Sequence, residues 1–375
     1  MDRMELIDDY TVRLYLKHAF GPIEYAVAGS QLAIVSRDAY LRDPTGFARN
    51  PVGTGPYKFV EWRSGDRIIL TRNDDYWQRP PAIKDVTFRI MPDVSTAVIA
   101  LEMGEIDMAV PTEEDRDNLM ANQNITYHEI AQFYTMFITM NNKRGMFSDK
   151  TMRMAMAHAI DREALIQGAL NGNGSVVHTP MPPNLFGWPE DFRWYDYNPT
   201  RARELFTQAG HPPDGLTITF LTMASPAFST PTELIQDQLR RIGINVVIDR
   251  LERAAFLDRM LTHKDYEASV MGATAFYPDS DYLFAMYHSD PTEQGRNYHL
   301  NEDPVLDRFL TEARLSNDPQ ERIALYRQVA ERFKEEAIQV PLYAPMSDIA
   351  ANANLRGFVI NPLRRINIKY FYWDN

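Results

Sequence analysis

The sequence predicts an α/β protein built from two lobes joined by a hinge. Repeated strand–helix–strand patterns occur on both sides of a polar break at residues 141–145, and such units bury a sheet beneath helices. A second crossover is predicted near residues 341–346, where an extended segment follows a long helix. Two crossovers between lobes form a hinge. A chain of 375 residues is long enough for two separate cores.

The composition excludes several classes of function. Charged residues are 24% and hydrophobic residues 45% of the chain, which is ordinary for a globular protein. The net charge of −12 argues against nucleic-acid binding and against docking on an anionic membrane. The absence of cysteine excludes disulfides, thiolate metal sites and a cysteine nucleophile. No segment reaches about eighteen consecutive apolar residues, so none is predicted to span a bilayer.

A β-hairpin is predicted over Tyr57–Trp62 and Arg67–Arg72, because apolar residues alternate and Ser64-Gly65-Asp66 forms a turn. The preceding segment Pro51–Pro56 holds two glycines and two prolines, which favour a rigid bend. A phosphate loop is disfavoured here, because no Gly-Lys-Ser/Thr follows and Pro56 has no N–H to donate. We therefore interpret this segment as structural.

The remaining elements follow from periodicity and from capping residues. In the first lobe Asp93 caps a helix that Gly104 ends. In the second lobe Asn198-Pro199 and Asp318-Pro319 each begin a helix. The predicted strands are 10–16, 84–90, 105–109, 125–130, 133–140, 216–220, 244–248 and 266–271. The predicted helices are 94–103, a polar helix opening at 112–115, 149–170, 200–209, 231–242 and 318–336, the last with Ile323, Tyr326, Val329 and Phe333 inward.

A search for catalytic and metal-binding patterns yields no site. No two histidines lie within five residues of each other, which excludes the usual helical zinc pairs. No Gly-x-Ser-x-Gly occurs. His158 and Asp161 share a helix face, but a partly buried structural histidine is the favoured interpretation. We expect no cofactor, no metal and no enzymatic activity, although a hydrolase that uses two cleft carboxylates stays an alternative.

Five ordered motifs between Tyr10 and Tyr372 carry a resemblance to a known family. Three of them are PVGTGPYKF at 51–59 followed by RNDDYW at 72–77, ALEMGEID at 100–107, and FSDKTMRMAMAHAIDR at 147–162. The chain thereby resembles the family 5 extracellular solute-binding proteins, the binding subunits of bacterial ABC importers of the peptide/nickel type. The resemblance implies a type II periplasmic-binding-protein fold (cluster C). It also implies capture of a peptide-like or related small solute in an interlobe cleft, a monomer, and membrane permease subunits as partners.

The resemblance also implies a domain organisation. Residues 1–49 are expected to be the remnant of an N-terminal accessory subdomain. Residues 50–141 with 342–375 are expected to form lobe one, incomplete at its N-terminal side, and 142–341 lobe two. The chain is thus expected to be an N-terminally truncated member. A periplasmic or extracellular location is implied, although no signal peptide is recognisable in Met1–Asp9.

The candidate ligand stretch is Met271–Asp279, which leaves a strand and turns at a proline. It resembles the family segment Gly-Trp-x-x-Asp-Tyr-x-Asp-Pro, whose first aspartate pairs with the ligand's α-amine in peptide-binding members. Phe276 stands at that aspartate and Ala273 at the tryptophan, whereas Tyr277 and Asp279 match. Without the acidic partner a buried α-amine would be unpaired. We therefore expect a ligand other than a simple free-amine peptide: a modified peptide, an opine or sugar-like compound, or a metal chelate.

Weaker candidates for ligand contact lie elsewhere. Tyr134 and Asn141 lie near the first crossover, and Trp188 lies in a loop rich in proline and tryptophan. Packing within the loop is the favoured interpretation of Trp188. Two further alternatives for the whole chain are a gene fragment with an incomplete pocket and a cytoplasmic ligand sensor. The sensor is disfavoured, because no basic helix-turn-helix segment occurs.

Overall fold

The computed structural model describes residues 1–29, 32–290, 297–363 and 365–374. The chain divides into two compact units. The first unit comprises Met1–Ala26 and Phe133–Pro345, and the second comprises Val27–Gln132 and Met346–Asn375. None of the helices in the described ranges is long and apolar enough to cross a membrane.

The elements are numbered in chain order. The strands are β1 (Arg3–Asp8), β2 (Thr11–Tyr15), β3 (Tyr57–Arg63), β4 (Arg67–Arg72), β5 (Asp85–Arg89), β6 (Met108–Ala109), β7 (Ile125–Ala131), β8 (Tyr134–Met140), β9 (Gly174–Val176), β10 (Thr217–Met223), β11 (Asn245–Leu251), β12 (Ala268–Thr274), β13 (Gln339–Asn352), β14 (Leu355–Arg356), β15 (Ile360–Asn361), β16 (Arg365–Ile366) and β17 (Tyr372–Trp373). The α-helices are α1 (Ile23–Val27), α2 (Arg37–Arg42), α3 (Val94–Glu102), α4 (Arg116–Ala121), α5 (Lys150–Ala159), α6 (Arg162–Leu170), α7 (Pro199–Gln208), α8 (Pro226–Arg241), α9 (Arg253–Leu257), α10 (Tyr282–Tyr287), α11 (Pro304–Leu315) and α12 (Pro319–Glu336).

The first unit is organised around a mixed sheet with the order β11-β10-β12-β8-β13. The first three strands are parallel, whereas β8 pairs antiparallel with β12 on one side and with the first half of β13 on the other. Alternate residues of the central strands enter one apolar core, among them Met136, Ile138, Phe220 and Val270. This core also takes in residues from helices α5 to α8, which confirms the predicted α/β class for this unit.

The predicted helix 149–170 is wrong in one respect, because the structure has two helices there. Ile160 adopts an extended conformation, with φ −104° and ψ 116°. Asp161 then caps α6 by accepting a hydrogen bond from the Ala164 N–H. The apolar period continues across the break, which is why the sequence pattern does not reveal it. His158 bonds the Asp196 carbonyl through Nδ1 at 2.9 Å, consistent with a structural role.

Helix α12 has the predicted bounds but a different inner face. Tyr326, Val329 and Phe333 are buried as expected, whereas Ile323 is 41% exposed. Arg322 is buried in its place and is 4% exposed. Only the first position of the predicted inner face changes, from Ile323 to Arg322, because Arg322 has an acidic partner within the first unit.

The second unit contains smaller sheets. Strands β3, β4 and β5 form an antiparallel sheet that includes the predicted hairpin, and β7 and β6 pair with the second half of β13. Asp93 caps α3 as predicted, accepting from the Thr96 N–H at 2.7 Å, and Gly104 has φ +72°. Two small apolar clusters support this unit, one around Leu119 and one around Phe371.

The unit boundaries fall between β7 and β8 and within β13. β7 hydrogen-bonds to residues 346–352 of β13, whereas β8 hydrogen-bonds to residues 339–343. The boundaries predicted from the sequence were 141/142 and 341/342. Residues 1–49 were predicted to be one segment, whereas the compact units divide after Ala26.

Candidate functional site

The exposed end of the β8–β12 pair carries the first predicted site residue, Tyr134. Tyr134 and Thr274 are direct cross-strand partners, so their side chains share one face of the sheet with Gly272. A Cβ at Gly272 would overlap the Tyr134 ring and hydroxyl. Glycine therefore allows the ring to lie across the strand, and Tyr134 covers this end of the sheet beside the exposed Thr274.

Ala273 and Asn141 are placed differently. Ala273 points to the opposite face from Tyr134 and is buried. Asn141 lies at the far end of β8, about 20 Å along the strand from Tyr134. Its side-chain amide donates to the Tyr266 carbonyl at 3.2 Å and accepts from the Lys143 and Arg144 N–H groups. The hydrogen bonds of Asn141 thus close a turn.

The loop after β12 presents one apolar side chain to solvent. Phe276 is 57% exposed, whereas the neighbouring Tyr277 is half-buried. The Tyr277 hydroxyl donates to the Asp281 carboxylate at 2.8 Å. Burial, reinforced by the negative charge of Asp281, raises the pKa of Tyr277. Tyr277 therefore stays a neutral hydrogen-bond donor within the loop.

Asp279 is fully buried and makes a bidentate ion pair with Arg322. Arg322 Nη1 donates to Oδ2 at 2.9 Å and Nη2 to Oδ1 at 2.6 Å. The Asp281 N–H adds a third hydrogen bond to Oδ1 at 2.8 Å. Bidentate pairing of this kind fixes orientation as well as charge. Both oxygens of Asp279 are thus engaged within the first unit.

Asp281 forms a second buried ion pair on the same loop. Arg314 donates to its two carboxylate oxygens at 2.8 and 2.9 Å. The Arg314 guanidinium also stacks on the Phe284 ring, 3.5 Å from its centroid. The two carboxylates of this loop are therefore neutralised by arginines, and the exposed residue between β12 and the ion pairs is a phenylalanine.

Trp188 lies on a second loop that is bonded to the first. The Phe186 carbonyl accepts from the Ser280 N–H at 3.2 Å and from the Ser280 hydroxyl at 2.5 Å. The Phe186 N–H donates to the Pro278 carbonyl at 3.4 Å. Trp188 itself is half-buried, and its N–H closes a turn onto Leu185. The structure thus brings the Trp188 loop beside the loop of Phe276, Tyr277 and Asp279, while Asn141 is distant along β8.

Sequence reasoning missed the residues that hold these loops, namely Arg314, Arg322 and Phe186. An available signal was the Arg322–Tyr326 spacing of four residues on α12, since a charged residue beside the apolar face requires a buried partner. Nothing local indicated Asp279 as that partner, because the two residues are 43 positions apart.

The second unit contains a cavity of about 700 Å³ that no predicted ligand residue lines. Its walls come from the hairpin, including Tyr57, Phe59, Trp62 and Leu70, and from the bend Pro51–Gly55. The lining residues are uncharged. The segment interpreted as structural from sequence therefore forms the wall of an apolar cavity. Within the described residues no cluster of three or more histidine, aspartate or glutamate side chains could hold a metal ion.

Comparisons with known proteins agree on one family. The sequence profile of the bacterial extracellular solute-binding proteins, family 5 (middle region), matches residues 2–294. The oligopeptide-binding protein AppA of Bacillus subtilis is 28% identical over 333 residues, covering 84% of this chain and 61% of AppA. The glutathione-binding protein GsiB of Salmonella choleraesuis is 28% identical over 373 residues, covering 96% of this chain and 72% of GsiB.

A solved structure supports the same assignment. The periplasmic binding protein DppA of Helicobacter pylori, solved in complex with the peptide STSA, matches with a TM-score of 0.82 and 27% identity. The match covers 100% of this chain and 74% of DppA. The chain thus spans between about three-fifths and three-quarters of the length of these relatives. The fold and the matched sequence together show that the chain belongs to the family 5 bacterial extracellular solute-binding proteins.

Proposed function

We propose that this protein captures a peptide-like solute outside the cytoplasm and delivers it to the permease subunits of an ABC importer. The named relatives bind oligopeptides, glutathione and the peptide STSA, which supports this class of ligand. No covalent chemistry is needed for such a role, because ligand binding only has to favour one conformation of the protein. The two compact units correspond, in this proposal, to the two predicted lobes, and the protein acts as a monomer.

The proposed binding surface lies at the end of β12. Tyr134, Phe276, Tyr277 and Trp188 supply aromatic area, which suits the apolar parts of a peptide-like ligand. Ala273, Asn141 and Asp279 are proposed as supporting residues behind this surface. Their burial and their hydrogen bonds within the first unit favour that role over direct ligand contact.

The proposed class of ligand rests on one observation, namely that both carboxylates of the loop after β12 are already paired with arginines. Asp279 and Asp281 are each neutralised by a buried or half-buried arginine, and Phe276 is the exposed residue. A ligand ammonium buried here would gain no ion pair with this loop, which costs several kcal/mol in a desolvated site. We propose that the ligand is a peptide-like compound whose α-amine is blocked or absent.

Calorimetric titration of matched peptides tests this proposal. The dipeptide Ala-Phe and its N-acetyl form differ in the α-amine, and we expect the acetylated form to bind more tightly, by about 100-fold or more. The substitution Phe276→Asp should reverse this preference, because it supplies a carboxylate at the exposed position. Val247→Asp is the matched control, since Val247 is an exposed residue of β11, which β10 separates from β12. Tight binding of unmodified Ala-Phe by the unaltered protein would exclude the proposed ligand class.

A further inference from the structure

Arg322 contacts both loops of the candidate site, although it belongs to neither. Its guanidinium is buried and makes four hydrogen bonds, which fix its orientation: two to Asp279, one from Nε to the Ala313 carbonyl at 2.9 Å, and one to the Tyr326 hydroxyl at 3.1 Å. The Phe186 ring lies over the same guanidinium, 4.8 Å away. One side chain thus reaches the loop that carries Phe276 and the loop that carries Trp188.

The loop that carries Phe276 is held at two of its residues, Asp279 and Asp281. Asp279 accepts from Arg322 and from the Asp281 N–H, and Asp281 in turn accepts from Arg314 and Tyr277. These bonds form one connected network of buried polar groups, in which each member orients the next. A loop held this way has few alternative conformations, so Phe276 is exposed but attached to an ordered backbone.

The second loop is fixed against the same network. Ser280 bonds the Phe186 carbonyl through both its N–H and its hydroxyl. Gly187 has φ +84°, and a Cβ there would lie 3.1 Å from Cγ of Tyr326 and closer still to its ring edge. Only glycine allows this close approach to the residue that also bonds Arg322. The backbone two residues before Trp188 is therefore tied to the backbone that follows Phe276.

We propose that Arg322 is a positioning residue of the ligand-binding surface: its pairing with Asp279 and its contact with Phe186 hold the Phe276 and Trp188 loops as one ordered unit before ligand arrives. This inference rests on the proposed function for the role of the two aromatic residues. A surface that is ordered beforehand loses less conformational freedom on binding, so its affinity is higher for the same contacts. The buried ion pair provides specificity of conformation in this site.

The absence of cysteine in the sequence allows a direct test by spin labelling. Phe276→Cys and Trp188→Cys are made singly, labelled with a nitroxide, and measured by electron paramagnetic resonance without any ligand. We expect slow, ordered spectra at both positions. Arg322→Gln should shorten the rotational correlation time about twofold or more at both labels. Arg308→Gln is the matched control, because Arg308 pairs with Glu312 at an exposed position of the same unit and should leave both spectra unchanged.

A second variant keeps the test decisive if Arg322→Gln does not fold. The pair Asp279→Asn with Arg322→Gln replaces the ion pair by two neutral amides and leaves no unpaired buried charge, and it should fold with both labels mobile. Unchanged spectra in a folded variant would overturn the inference, as would loosening at Phe276 alone. Peptide titrations that detect no binding would refute the proposed function and leave the spectroscopic result standing.

Discussion

The ion pair between Asp279 and Arg322 yields a quantitative prediction about stability. Arg322→Gln leaves the Asp279 carboxylate buried without its two charged hydrogen bonds, at a position with no measurable exposure. Breaking a buried pair by removing one partner costs about 3–5 kcal/mol. For a unit of this size each kcal/mol lowers the unfolding temperature by about 2–4 °C. The expected fall is therefore about 6–20 °C.

The double substitution Asp279→Asn with Arg322→Gln should cost far less. Two neutral amides leave no buried charge without a partner, so the expected loss is about 1–2 kcal/mol, near the net worth of the hydrogen bonds removed. The two single substitutions should therefore be strongly non-additive. Arg308→Gln removes an exposed pair and should cost about 0–1 kcal/mol.

Calorimetry and urea unfolding of the four variants and the unaltered protein measure these differences at pH 7. Near-ultraviolet circular dichroism checks that each variant keeps its tertiary packing before unfolding. The reasoning is refuted if Arg322→Gln costs no more than Arg308→Gln. It is also refuted if the double variant is as unstable as the sum of the two single variants, because the residues would then act independently.

Three further predictions follow from other features. Gly272→Ala should destabilise by about 1–3 kcal/mol through overlap with Tyr134, and Tyr134→Ala in the same chain should remove most of that loss in urea unfolding. Burial lowers the pKa of His299 to about 3, so the unfolded state alone takes up this proton between pH 6.5 and 3. The neutral His299 therefore costs the folded protein no stability above pH 6.5. On acidification below that pH the free energy of unfolding falls by up to about 1.4 kcal/mol per pH unit, and His299→Gln should reduce this slope. The cavity in the second unit should bind a hydrophobic fluorescent dye, with emission reduced by Phe59→Lys but not by Val247→Lys, which changes an isolated exposed residue.

Local patterns were sufficient for most elements. The hairpin β3–β4, helix α3 with its Asp93 cap, and helix α12 after Asp318-Pro319 all have the predicted positions. Each is specified by residues within a few positions of one another, such as a capping oxygen and the N–H that it accepts. The break between α5 and α6 was not predictable from period alone, since the Asp161 cap interrupts an otherwise continuous apolar pattern.

Some features of the candidate site were likewise predictable from local sequence, and others were not. The family and the candidate loop after β12 with its Phe276 were predictable from the sequence, because these are properties of short ordered motifs. The role of Asp279 was not predictable in this way, because its charge is neutralised by Arg322, which is distant in sequence and adjacent in space. Likewise the face of the sheet, and hence the opposite placement of Tyr134 and Ala273, depended on strand register. Long-range pairing fixes which charges a ligand can meet, and no local pattern encodes it.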